Sequence, residues 1–167
     1  MRSAAESSEL LVRACLPADI PRLAVHEASP VAQIAASHLR RHQRGEAVFA
    51  TAWAGDEPLG QALLSLVPGP FSPEIKHVFV LESARRRGVG RALCRWLEER
   101  AVELGFGHVH LGVEVSNAAA RALYAALGYT STAHLETTRY EYPASDGRMV
   151  PAVERNEYFV KPLPARC

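Results

Sequence analysis

The stretch SARRRGVGRAL, Ser83 to Leu93, sets Arg85, Arg86, Arg87 and Arg91 around Gly88 and Gly90, then runs into a helical pattern. Glycine lacks the Cβ that would hold a ligand off the backbone. The first turn of a helix leaves about four N–H groups without partners, at the positive end of its dipole. Arginine adds forked donors that keep their charge. A turn of this kind suits an anion, and a pyrophosphate in particular. Two common phosphate cradles are excluded. The pattern GxxxxGK(S/T) occurs nowhere in the chain. A dinucleotide fingerprint, GxGxxG, would need a glycine where Leu93 stands. It would also follow its strand directly, whereas seven residues separate Val80 from Gly88. Taken alone, RxxGxG equally fits a solvated arginine face with two turn glycines.

A second set of polar residues lies in SNAAARALYAALGY, Ser116 to Tyr129. Ser116 or Asn117 caps a short helix there, and Gly128 ends it. Tyr124 stands one turn past Ala120, on the same face, and brings a phenol able to donate a proton. Glu74, His77, His110 and Glu114 fall on the strand segments EIKHVFVL and HVHLGVEV. His26, His38, His42, His108 and His134 follow no metal-ligand spacing, and no metal is expected. Cys94 lies inside a helical pattern and reads as a small core residue rather than a nucleophile.

These residues need elements to position them. ELLVRAC (Glu9 to Cys15) reads as a first strand. PADIPRLAVHEA opens a helix with Asp19 as its cap and Pro21 in its first turn. VAQIAASHLRRHQRG is a second helix, with Val31, Ile34, Ala35 and Leu39 at helical spacing. AVFATAWAGDEPLGQALLSLV is a hairpin around the turn Gly55-Asp56-Glu57-Pro58. VPGPFSP is a loop, and EIKHVFVL a strand. RALCRWLEERAVELGFG is an amphipathic helix carrying Leu93, Trp96, Leu97, Ala101 and Leu104, closed by Gly105 or Gly107. HVHLGVEV is the next strand. Two more strands, TSTAHLETTRYEY and VERNEYFVKPL, are joined by the polar PASDGRMVPA. The order βααβββαβαββ implies an α/β fold with a mixed sheet, and Glu74 to Val115 forms a parallel strand–helix–strand crossover.

Over Glu74 to Tyr129 the chain resembles the GCN5-related N-acetyltransferases (GNAT). VLESARRRGVG matches that family's V-x-P-x-x-(R/Q)-x-x-G-x-G/A motif at Val80, Arg85, Gly88 and Gly90, with Glu82 in place of the usual proline. VEVSNAAARALYAALGY matches N-x-x-A-x-x-x-Y-x-x-x-G-(F/Y) at Asn117, Ala120, Tyr124, Gly128 and Tyr129. The resemblance implies a mostly antiparallel sheet of about seven strands with four helices and a V-shaped splay between the fourth and fifth strands. It implies acetyl-CoA as co-substrate. Backbone groups of Val78 and Val80 would pair with the pantetheine arm. Amides from Arg86 through Arg87, Gly88, Val89 and Gly90 to Arg91 would hold the pyrophosphate, with Arg85 at the motif's start. Asn117 would touch the pantetheine arm and Tyr124 the thioester sulfur.

Acetyl transfer to an amine then needs a base, since a lysine-like amine of pKa about 10.4 is neutral in only about one molecule in a thousand near pH 7.4. Glu74 is the first candidate. It opens the strand carrying Val80, where several protein-lysine-acetylating members keep a glutamate. By strand alternation it shares a face with Lys76, Val78 and Val80. Glu114 is the second, on one face with His110 and Gly112. Members that acetylate ribosomal-protein N-termini carry a glutamate at the position of Gly112, and this glycine instead leaves room for substrate. His77 and His110 could also carry protons, although a lone histidine in a strand is more often structural. Tyr124 is the general acid, and the Val80 amide polarises the thioester carbonyl.

Composition sets the frame. The 167 residues suit one domain, expected over residues 9–167 after a disordered tail at 1–8. The net charge of +1 disfavours a nucleic-acid coat. No apolar run reaches the ~18 residues of a membrane span, and no signal peptide opens the chain. Cys15, Cys94 and Cys167 form no CxxC pair, which favours a reducing compartment, the cytoplasm. The expectation is therefore an acetyl-CoA-dependent N-acetyltransferase acting on an unidentified small-molecule or peptide amine. Transfer of another acyl group, acylation of a hydroxyl, or CoA binding without turnover are the rivals. Glu136, Glu141, Asp146, Glu154 and Glu157, in or near the last hairpin, fit a solvated hairpin face first and a cationic acceptor second. A homodimer through the edge of that hairpin stays open.

Overall fold

A computed structural model describes residues 9–28 and 31–166. The expected tail at 1–8, and Cys167, lie outside these residues. The strands are β1 Leu10–Ala14, β2 Ala47–Ala54, β3 Glu57–Ser65, β4 Glu74–Val80, β5 His108–Glu114, β6 Thr130–Pro143 and β7 Met149–Pro162. The helices are α1 Ile20–Ala24, α2 Ile34–Gln43, α3 Val89–Glu103 and α4 Ala118–Ala126. All seven strands form one sheet in the order β1-β2-β3-β4-β5-β7-β6. Every neighbouring pair is antiparallel except β4 and β5. No helix among the described residues is long and apolar enough to cross a membrane.

Strand alternation divides the core between the two sheet faces. In β2, Ala50 and Ala52 enter one cluster, with Leu93, Cys94, Leu97 and Ala101 of α3 and Tyr124 and Leu127 around α4. Phe49 enters the other, with Leu23 of α1, Ala35 and Leu39 of α2 and Leu63 of β3. Each fully buried Leu or Phe in these layers stabilises by roughly 1.5–3 kcal/mol.

Several boundaries differ from the sequence expectation. The first hairpin turns on Gly55 and Asp56 alone, and Glu57 and Pro58 already belong to β3. Asp19 does not cap α1 with its side chain. It takes the Leu16 amide at 2.7 Å and a two-pronged ion pair from Arg13 at 2.6 and 2.9 Å, because the guanidinium offers more than a helix amide does. Helix α2 starts at Ile34, after Gln33 at φ 45°, so Val31 lies outside it. Glu27, from the preceding loop, caps α2 by accepting from the amides of Ile34 and Ala35 at 3.1 and 2.8 Å. The last connection is shorter than its polar sequence suggested, since β7 begins at Met149 and runs through Pro151.

One irregularity matters for the site. Opposite β4, Gln61 pairs with Phe79 and Leu63 with Lys76, so Ala62 faces both His77 and Val78. His77 takes φ 53°. This is a β-bulge, and one extra residue shifts the alternation of side chains by one step. Ile75, Val78 and Val80 therefore all pack toward the α3 cluster. The expectation that Glu74 and Lys76 share a face with Val78 and Val80 is corrected: the bulge lies between the two pairs and turns them to opposite faces.

Candidate active site

Helix α3 follows directly on Gly88, which sits at φ 78° in the left-handed region where glycine is at ease. Nothing lies within 4 Å of where a Cβ would stand there. The first intrahelical bond runs from the Ala92 amide to the Gly88 carbonyl, so the amides of Val89, Gly90 and Arg91 precede it. Val89 is buried in the α3 cluster and pins the helix start to the sheet. Arg85, Arg86, Arg87 and Arg91 are exposed. None of them forms an ion pair among the described residues. A Cβ on Gly90 would stand 3.7 Å from Val80 and 3.6 Å from Leu123, so this glycine lies where β4, α3 and α4 converge.

The ladder between β4 and β5 holds only at Glu74 with His110 and Ile75 with Leu111. From Lys76 onward β4 has no partner on that side. The Leu81 amide bonds to Leu59 at 2.9 Å across β3. Alternation then turns the backbone groups of Val80 and Val78 away from β3, toward the side β5 has left. The unpaired stretch ends beside the α3 N-terminus, and an unpaired strand edge can take backbone hydrogen bonds from an added chain.

Tyr124 lies in the core cluster on the α3 face. It is 8% exposed and its ring packs edge-on to Tyr129 at 5.9 Å. Burial, with the Cys94 thiol nearby, raises its phenol far above the ordinary range, so it holds its proton. Asn117 caps α4, its Oδ1 accepting from the Ala120 amide at 3.1 Å. That role occupies the side-chain oxygen and leaves the amide nitrogen free for a ligand. Tyr129 donates to Glu98 Oε1 at 2.8 Å, and Lys161 meets Glu98 Oε2 at 2.7 Å.

Glu74 lies on the other face. It lines a cavity of about 490 Å³ with Lys76, Phe71, His134 and Glu136. Burial raises its pKa; Lys76 opposes the shift and Glu136 adds to it. Expected pairing with Lys76 does not win over burial. A second cavity of about 320 Å³ is lined by Leu23, Ile34, His77 and Phe79 among others. His77 packs against His38 at 4.9 Å between ring centres. Glu114 is tied up locally: it accepts from the Ser116 amide at 2.7 Å and from the Ser116 hydroxyl, which hold its carboxyl below the usual range. It braces the turn into α4 and is a weak base. His110 is shifted down by burial and sits edge-on to Phe71.

The space over Gly112 is not open. A Cβ there would stand 3.3 Å from the Tyr158 ring, which lies over the glycine and stacks on Phe71 at 3.9 Å and 11°. Gly112 therefore makes room for Tyr158. Neither Tyr158 nor Glu98 stood out in the sequence. Tyr158 reaches the site only because β7 inserts between β5 and β6, and Glu98 resembles any helix-surface glutamate until Tyr129 and Lys161 close on it.

The model of the acetyltransferase (GNAT) family matches residues 14–129. The chain belongs to that family. It is 36% identical over 87 residues to the N-acetyltransferase YvbK of Bacillus subtilis, an overlap of 52% of this chain and 54% of that protein. It is 41% identical over 64 residues to the ribosomal protein bS18-alanine N-acetyltransferase of Escherichia coli, covering 38% of this chain and 41% of that one. The matched region thus spans about half or less of these relatives. The Escherichia coli ribosomal-protein-S18-alanine N-acetyltransferase structure overlays with a TM-score of 0.68 at 23% identity, over 95% of this chain and 97% of the other. The yncA structure from Salmonella typhimurium, solved with its cofactor acetyl-CoA, overlays at 0.63 and 20% identity, over 94% and 95% of the two chains. At such identities the overlays speak for the fold.

Proposed function

We propose that this protein is an acetyl-CoA-dependent N-acetyltransferase that passes the acetyl group directly to an amine. The observation that carries the reading is the end of the β4–β5 ladder after Ile75, beside an α3 N-terminus opened by Gly88 and Gly90. Acetyl-CoA fits this place chemically. The amides of Val89, Gly90 and Arg91 and the exposed arginines meet the pyrophosphate. The strand edge at Val78 and Val80 meets the amide-bearing pantetheine arm, with the free amide nitrogen of Asn117 beside it.

The two faces divide the chemistry. Glu74 takes the proton that the ammonium form of the acceptor must lose, directly or through water. Its raised pKa makes it a better base than an ordinary carboxylate. The Val80 amide faces the carbonyl oxygen as negative charge develops. Tyr124, kept protonated by burial, donates to the departing thiolate. Glu114 has no part, because Ser116 engages it. The carboxylates Glu74 and Glu136 around the larger cavity favour an acceptor that arrives as a cation.

The test is release of free thiol from acetyl-CoA with a panel of small amines, peptide N-termini, lysine peptides and hydroxyl compounds. Thiol release with at least one amine, lost in Tyr124→Phe, is the expected result. Acetyl-CoA binding without turnover on any amine would make the chain a CoA-binding module, and turnover only on hydroxyl acceptors an O-acyltransferase. Absence of acetyl-CoA binding would remove the reading altogether.

A further inference from the structure

The chain has 17 arginines and two lysines, Lys76 and Lys161. Arginine holds its proton throughout the range a protein meets, so these two are the side-chain amines able to become nucleophiles. Lys161 is engaged elsewhere. It meets Glu98 at 2.7 Å, and Glu98 is buried in the α3 layer. Lys76 forms no ion pair among the described residues, although Glu74 and Glu136 line the same cavity.

Its place on β4 gives that amine a task. The β4–β5 ladder holds at Glu74 and Ile75, and Lys76 is the first residue past its end. Lys76 shares the cavity face with Glu74, two residues before it. Directly after it come the bulge at His77 and the unpaired edge at Val78 and Val80. The half-buried side chain is a flexible four-carbon stem with the amine at its tip. One residue therefore brings an unengaged amine, a neighbouring carboxylate of raised pKa and an open strand edge together.

We propose that Lys76 is a site of self-acetylation, its Nζ taking the acetyl group from acetyl-CoA bound along the β4 edge of the same chain. The proposal rests on the reading that acetyl-CoA occupies that edge. Glu74 accepts the proton that the Lys76 ammonium must lose, and passes it to water. Nζ then bonds to the carbonyl carbon, the C–S bond breaks, and the sulfur leaves with the electron pair and takes a proton from Tyr124. The second amine proton, released as the amide forms, restores the one Tyr124 gave. The products are Nζ-acetyl-lysine and free CoA thiol. A tethered amine acts at an effective concentration on the order of millimolar even on a floppy tether, and far higher when well oriented. The step therefore competes with a free acceptor that is scarce. Acetylation removes the charge of Lys76 and lays a neutral amide in the cavity beside Glu74. An enzyme idling on acetyl-CoA thus closes its own acceptor side.

Trideuteroacetyl-CoA marks new acetyl groups apart from any acquired during expression. The full chain is incubated with it and no amine acceptor, the label is mapped by peptide mass spectrometry, and thiol release is followed in parallel. The expected result is a single label at Lys76, matched by a stoichiometric burst of free thiol, at a rate independent of protein concentration. Lys161 should label more slowly by roughly tenfold or more, since it lacks the oriented donor. Glu74→Gln should slow labelling of Lys76 by roughly 10²-fold or more. Lys76→Arg keeps the charge and should give no burst. Lys76 labelling no faster than that of Lys161, or no faster than in the urea-unfolded chain, is ordinary amine chemistry and overturns the inference. So does a rate that rises with protein concentration, or an equal rate in Glu74→Gln. Calorimetric titration with acetyl-CoA separates this inference from the reading beneath it. Binding without Lys76 labelling removes the inference and leaves the N-acetyltransferase reading standing, whereas absence of binding removes both.

Discussion

The Tyr129 hydroxyl donates to Glu98 across 2.8 Å, inside a layer where Glu98 is 7% exposed and Lys161 is its other partner at 2.7 Å. This joins the residue after the α4 stop, the middle of α3 and strand β7 in one polar knot. Lys161→Met would leave a buried carboxylate without its cation, and denaturant unfolding should register a loss of about 3–5 kcal/mol. Tyr129→Phe keeps the packing and removes one hydrogen bond to a charged group, which should cost about 1.5–3 kcal/mol. Glu98→Gln should be milder than Lys161→Met. The reverse order would show that the knot does not hold a charge.

Glu74 must be ionised to accept a proton. Burial raises its pKa, so the acidic limb of the kcat/KM profile should lie above the ordinary carboxylate range, with activity rising as pH passes through it. Glu74→Gln should lower kcat/KM by roughly 10²–10⁴-fold and abolish that limb. Lys76→Met should move the limb further up, because Lys76 is the cation that opposes the shift. The measurement is a pH–rate profile of all three proteins under the same saturating acetyl-CoA.

Tyr124→Phe retains the ring packed against Tyr129 and loses only the hydroxyl. It should fold and bind acetyl-CoA like the parent while kcat falls by about 10²-fold or more. Calorimetric titration with acetyl-CoA alongside steady-state kinetics separates the two effects. Unchanged kcat would assign the leaving-group proton to another donor.

His38 is buried between Phe49 and His77, and neither ring nitrogen has a hydrogen-bond partner. Burial, then the charges of His77 and Arg41, lower its pKa from 6.5 to about 4. The folded protein therefore holds it neutral while the unfolded chain takes the proton first. Its contribution to stability is complete above about pH 6.5 and is lost as pH falls toward about 4, on the order of 2–3 kcal/mol in all. His38→Phe should flatten that part of the stability–pH curve in urea melts at several pH values.

The glycine–arginine turn, the Asn117 cap and the order of elements were legible because each rests on local chemistry: helix amides, capping geometry and hydrophobic period. Glu74 was found for its position on β4, and the error in its face came from assuming regular alternation through His77. A bulge leaves no local signature when the bulged residue is an ordinary histidine, and here only the pairing with β3 reveals it. Tyr158, Phe71 and Glu98 depend on contacts between segments far apart in the chain, so neither spacing nor propensity pointed to them. The reach of the last hairpin was missed for the opposite reason. Asp146 and Gly147 do lie in the turn, but Pro151 read as loop as well, and cross-strand pairing carries β7 back to Met149.

Ala62 faces two residues of β4, which makes the length of this strand as consequential as its composition. Removing His77 would restore a regular zigzag. The residues on either side of it would keep their present faces, Glu74 and Lys76 on one side of the sheet and Ile75, Val78 and Val80 on the other, now in unbroken alternation. A one-residue deletion at His77 removes only the bulge, whereas one elsewhere in β4 with the bulge kept exchanges the sides of the sheet. Length within β4 can therefore vary at His77 alone, with other insertions and deletions falling in the loops that flank the strand.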